Sequence, residues 1–205
     1  MRTRWFFLGV GAIGVIVLFA FPLWWPLVNT APAELTLPGL TDLPLEEQPV
    51  IESIAREDRA YAEALIATGL AEPSIVPMAD QEMPQMLAPD LYATGEFTMI
   101  DAVRRASGTV MIYRQADGSW LLRLEDFEVR NGPQLHLVLS AHPEPRTPEE
   151  VREAGLGLDW GPLRGEVGSQ NFQLPASFDM DQVQSVVIYA VMYQEVFSSA
   201  QLVRQ

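Results

Sequence analysis

The clearest alternation of apolar and polar positions is at residues 131–140, NGPQLHLVLS. A turn signal, Asn131-Gly132-Pro133, leads into a strand with Leu135, Leu137 and Leu139 on one face. Gln134, His136, Val138 and Ser140 fall on the other, because strand side chains alternate with period two. Residues 92–205 read as further strands arranged around this central one. Residues 108–113 form a β-branched run, Gln115-Ala116-Asp117-Gly118 is a hairpin turn, and residues 120–124 answer it with Trp120, Leu122 and Leu124 on one face. Phe127 and Val129 continue that alternation. Residues 141–160 interrupt the strands with a short helix that Thr147 caps, Pro148 opens and Gly155 ends. Residues 163–168 and 171–175 are glycine-punctuated strand edges. Residues 186–193, VVIYAVMY, are apolar on both faces and predict a strand covered on both sides. Residues 197–202 close the set. The spacing predicts a mainly β fold, an antiparallel β-sandwich or flattened barrel of about eight strands.

The first part of the chain has a different texture. Residues 5–28 contain no charge, and their length suits the ~20 apolar residues that cross a bilayer. Trp5 and Trp24-Trp25 mark the two ends, and Arg2 and Arg4 precede them. That pattern predicts a single-pass anchor in the cell membrane with a cytoplasmic N-terminus and an extracytoplasmic remainder. A cleaved signal peptide, with small residues at 30–33, is the competing reading. Residues 29–50 hold Pro32, Pro38, Pro44 and Pro49 and predict an extended spacer. Residues 51–69 predict one amphipathic helix with Ile51, Ile54, Tyr61 and Leu65 on its apolar face. One step is missed at Asp58, Glu52 lies in the acidic first turn, and Gly69 is the stop. Residues 70–91 read as a Pro- and Met-rich loop.

Charge changes what this fold can do. The formal net charge is −14, and the 13 basic residues are all arginine. Such a polyanion is poorly suited to nucleic acid, whose phosphates need neutralising cations. The chain has no cysteine, which removes disulfides, thiolate metal sites, iron–sulfur clusters and c-type haem attachment.

Few residues stand out as chemistry. His136 sits on the more polar face of its strand and is the candidate metal ligand; His142 follows it in a turn closed by Pro143. Met78, Met83 and Met86 offer soft thioether donors for copper, although methionines in proline-rich loops more often serve as adaptable packing. Asp117, Glu125, Asp126, Asp179 and Asp181 lie near turns without the spacing of a calcium loop. Tyr113, Tyr189, Tyr193 and Trp120 read as packing residues before they read as electron relays. No nucleophile elbow and no phosphate-binding glycine loop is present in the sequence. No catalytic residue is assigned and no enzymatic activity is expected.

The order and spacing of several motifs resemble the DM-13 domain family, also called electron-transfer DM-13, found in Skeletor-like proteins and often beside DOMON modules. The motifs are Gly95-x-Phe97, Gly108-Thr109-Val110, Leu124-x-x-Phe127, and Asn131-Gly132-Pro133-x-Leu135-His136-Leu137. Further on come Leu163-x-Gly165-x-x-Gly168-x-Gln170-Asn171-Phe172, Val186-Val187-Ile188-Tyr189 and Phe197-x-x-Ala200-x-Leu202. The resemblance implies a β fold and an extracytoplasmic setting. The redox role proposed for the family leans on a cysteine in a strand usually reading Ile-Trp-Cys, and this chain has Ile188-Tyr189-Ala190 there. The expectation is therefore a membrane-anchored interaction module with an extracytoplasmic protein partner and no cofactor. The alternative is a redox accessory that binds copper or haem.

Overall fold

The computed structural model describes residues 36–87, 89–153 and 157–205. The expected anchor at 5–28, with all of the chain before residue 36, and Gly155 lie outside the described residues. Among the described residues no helix is long and apolar enough to cross a membrane.

Among the described residues nine strands form the sheet: β1 (Asp90–Met99), β2 (Ala106–Arg114), β3 (Trp120–Val129), β4 (Leu135–Ser140), β5 (Gly157–Pro162), β6 (Gln170–Leu174), β7 (Ser185–Ala190), β8 (Glu195–Gln201) and β9 (Val203–Arg204). Every pairing is antiparallel, in the order β5-β4-β7-β8-β1-β2-β3-β6, with β9 beside β1. β1 is shared between two halves: Asp90 to Glu96 pair with β2, and Phe97 to Met99 pair with β8. Inward side chains of both halves, such as Val110, Leu122, Leu137, Ile188 and Phe197, belong to one apolar cluster. The sheet therefore curls into an antiparallel half-barrel around a shared core.

The expected alternation in β4 holds. Leu135, Leu137 and Leu139 enter the main core, while Val138 joins an outer cluster with Val151, Val187, Tyr189 and Val196. β4 is not central, however; it lies one strand from an edge. β7 is buried at every position, as an apolar run on both faces requires, but it ends at Ala190, and residues 191–194 of the expected 186–193 strand region form the turn into β8. The neighbour that moves β4 inward is β5, a strand the sequence hides because Gly157, Asp159, Gly161 and Pro162 interrupt its apolar pattern.

The region before the sheet also departs from expectation. Leu37, Leu40 and Leu43 are buried, and residues 40–42 form a 3-10 turn, so this part of the proline-rich stretch is packed rather than extended. The single helix expected at 51–69 is two: α1 (Gln48–Glu57) and α2 (Arg59–Gly69). The break is at Asp58, which leaves helical geometry and accepts the Tyr61 N–H at 3.0 Å as the N-cap of α2. Because α1 begins at Gln48, Glu52 is past its first turn. Ile51, Ala55, Tyr61, Ala62, Leu65 and Ile66 share the core of the sheet. A short α3 (Met78–Gln81) crosses the 70–91 loop, and α4 (Pro148–Val151) has the expected capping box between Thr147 and Glu150. Residues 37–205 form one compact unit.

Candidate functional site

The turn at 131–133 and the strand pairing bring two motif blocks together. In the β4–β7 ladder His136 is opposite Tyr189, and Leu135 is opposite Ala190. Directly opposed residues project to the same face, so His136 and Tyr189 share the outer face while Ala190 points inward. β5 adds a partner that sequence reasoning missed: Asp159 carboxylate oxygens lie 2.8 and 2.9 Å from His136 Nδ1. One of those oxygens also accepts the Gly161 N–H at 2.9 Å, which fixes the carboxylate in place. A carboxylate at Nδ1 orients the ring and leaves Nε2 as the nitrogen for any further contact. The alternation of Leu158, Asp159 and Trp160 was the only available hint of this strand.

Tyr189 is largely buried, and its phenol is pushed up from the ordinary value by burial, with the Arg152 cation opposing that shift. Ala190 is fully buried in the main core, as is Phe197. Gly132 is required by this packing: a Cβ there would meet the Phe197 ring at 2.4 Å. Pro133, between Gly132 and β4, completes the turn.

The remaining motif positions lie on the other half of the sheet and do different work. A Cβ on Gly165 would come within 2.8 Å of the Val76 backbone nitrogen, so glycine admits the 74–76 segment against the sheet. Gly168 has φ +118° and donates its N–H to Phe127 at 2.8 Å. Asn171 clamps the loop around α3, donating to the Asp80 and Glu82 carbonyls at 2.9 and 2.8 Å while accepting from Arg123 at 2.9 Å. These residues hold the fold together and are not part of a site with His136.

The other candidates disperse. His142 lies 3.6 Å from Glu153 and accepts the Glu144 N–H, sharing no partner with His136. Met78 and Met83 are exposed in and beside α3, and Met86 is half-buried. Among the described residues no three His, Asp or Glu side chains converge on a metal position. His136 and Asp159 are two donors, and the methionines lie on a loop bound to the opposite half of the sheet. Of the acidic residues, Asp117 closes the β2–β3 hairpin by accepting from Ser119, Glu125 pairs with Arg123, and Asp126 is a bulge residue with φ +49°. Asp179 caps a 3-10 turn, and Asp181 accepts the Tyr92 hydroxyl. Trp120 packs edge-on against Tyr92 at 4.9 Å, and the Tyr113 hydroxyl reaches the Met111 sulfur at 3.2 Å.

A buried ion cluster joins the helices to the sheet. Glu47 pairs with Arg130 at 2.7 Å and Arg105 at 3.1 Å, and Arg130 also donates to the Leu65 and Asn131 carbonyls at 3.0 Å each. It anchors the Asn131 turn, and nothing in the spacing of Glu47 announced it.

No curated protein matches the chain. Among solved structures a variant of superoxide dismutase 5 from Candida albicans is similar at 12% identity and TM-score 0.36, over 57% of this chain and 92% of that one. The family model described as "Electron transfer DM13" matches residues 98–202, just over half of the chain, and takes in the turn at 131–133, β4 and β7. The chain belongs to the DM13 family.

Proposed function

We propose that this DM13 chain works outside the membrane as an anchored interaction module, binding a protein partner without carrying electrons through its own side chains. The observation that carries the reading is Ala190. At the position where the family resemblance places a cysteine, this chain has a methyl group, fully buried in the core at the end of β7, between β4 and β8. A methyl group cannot ionise, form a disulfide or ligate a metal. The charge-free residues 5–28 after Arg2 and Arg4 support anchoring in the cell membrane with the C-terminal domain extracytoplasmic. The net charge of −14 disfavours nucleic acid as the partner.

A second reading draws on His136. Its contact with Asp159 has the carboxylate–imidazole form that supports metal-ligating histidines, and it would suit an accessory in electron transfer that holds copper or haem. Elemental analysis and an absorption spectrum of the full chain, purified without chelators, separate the two. The proposal expects no stoichiometric metal and no visible band. One metal or haem per chain, lost in His136→Ala, would replace it with the second reading.

A further inference from the structure

Methionines in a proline-rich loop usually pack onto a neighbouring surface. Two of those around α3 do not. Met78 is 71% exposed and Met83 41%, and Ile75 and Leu87 in the same loop are 72% and 86% exposed. A loose loop would explain this, but the loop is tied down. The Val76 N–H donates to the Val167 carbonyl at 2.8 Å, and Ser74 donates through its N–H and its hydroxyl to Glu166. Asn171 holds the Asp80 and Glu82 carbonyls from the edge strand β6. Large apolar side chains are therefore held facing water, which marks a surface that meets a partner. Between the loop and β6 runs a groove of about 420 Å³, bordered by Ala79, Glu82, Met83, Arg164, Asn171 and Gln173.

Charge selects the occupant. The chain has no basic residue between Arg59 and Arg104, whereas Glu72, Asp80, Glu82 and Asp90 all fall within residues 72–90. Arg164, the cation bordering the groove, is paired with Asp80 at 2.7 Å and lies over the Phe172 ring at 5.5 Å, so its charge is already met. Glu82 is exposed and has no ion pair among the described residues. The surface is apolar at its methionines and negative around them.

We propose that residues 75–87 and the groove beside β6 are the docking surface for a basic, amphipathic segment of a partner protein. Its apolar side chains meet Met78 and Met83, whose unbranched thioethers adapt to the shape presented, and its Lys or Arg groups face Glu82. The proposal rests on the interaction role given above and names the surface that performs it.

The test is fluorescence anisotropy of residues 37–205, a compact unit of their own, with three labelled synthetic peptides. One is a Leu/Lys amphipathic helix, one its Leu/Glu counterpart, and one a Ser/Lys peptide of the same positive charge. The expected result is saturable, one-site binding of the Leu/Lys peptide, binding of the Ser/Lys peptide weaker by about tenfold, and none of the Leu/Glu peptide. Met78→Gln with Met83→Gln should weaken the Leu/Lys peptide by roughly tenfold or more. Met192→Gln, which changes a methionine 59% exposed in the turn before β8, should leave it unchanged. All three side chains are on the surface, so the variants retain the fold. Absent saturation, equal binding of the Ser/Lys peptide, or indifference to the double replacement would each overturn the proposal. So would a dimer, or adhesion to phosphatidylcholine vesicles, that the double replacement abolishes, since the occupant would then be a second copy or lipid. Any of these failures leaves the metal-free reading standing, because elemental analysis judges that separately.

Discussion

The Glu47 cluster makes a demanding prediction about how the helices are held. Replacing Glu47 by Ala removes the partner of two guanidinium groups with different freedom. The Arg105 side chain is 37% exposed and can turn to solvent, whereas the Arg130 side chain is 6% exposed and stays tied to the Leu65 and Asn131 carbonyls. The loss is then one uncompensated buried charge, which costs about 3–5 kcal/mol. For a domain of this size that lowers the melting temperature by about 6–20 °C. Equilibrium urea unfolding of residues 37–205, which form a compact unit of their own, should show the shift as a lower midpoint at unchanged slope. The double replacement Glu47→Leu with Arg130→Met removes both charges, and most of the lost stability should return. A loss under about 1 kcal/mol for Glu47→Ala would refute the reasoning, since it would mean that water reaches Arg130.

Other consequences follow from single contacts. Gly165→Ala should destabilise the domain by about 1–3 kcal/mol, because its Cβ meets backbone at Val76 and Ser74 that cannot rotate away; the readout is the urea midpoint. Asn171→Ala removes the clamp on Asp80 and Glu82, and limited proteolysis should then cut residues 78–87 faster while the urea midpoint moves little. Tyr61, Tyr92 and Tyr189 all have phenols raised by burial from the ordinary value of 10.0. The unfolded chain therefore releases protons that the folded chain keeps, so stability is intact below about pH 10 and falls as pH rises further. Tyr61→Phe should flatten that alkaline loss in a melting-temperature series. Asp117 and Glu150 are held low by hydrogen bonds, from Ser119 and from the Arg146 and Thr147 N–H groups respectively. Their small, exposed contribution is present above the ordinary carboxylate range and is lost as pH falls below that range through their lowered values, which a melting-temperature series at acid pH should show.

Much of the β fold was legible because burial imposes period two. β4 and β7 could be read directly, since each covers an apolar core and their side chains have no other use. The Asp117-Gly118 turn and the Thr147 capping box were equally local. What failed was whatever depends on distant partners. β5 reads as a loop until β4 supplies its ladder, and with it went Asp159, the residue that orients His136. The proline-rich spacer was misjudged because proline sets only backbone geometry, whereas Leu37, Leu40 and Leu43 find a core that local sequence does not contain. Asp58 was visible as a missed helical step, and its capping role explains the missed step.

Protein-film voltammetry of the native chain tests the central claim most directly. If Ala190 has removed the family's redox centre, the chain should be electrochemically silent across the thiol, copper and haem ranges, and Ala190→Cys should behave differently only if its buried sulfur becomes accessible. A reversible couple in the native chain would contradict the account and make His136 the residue to explain it.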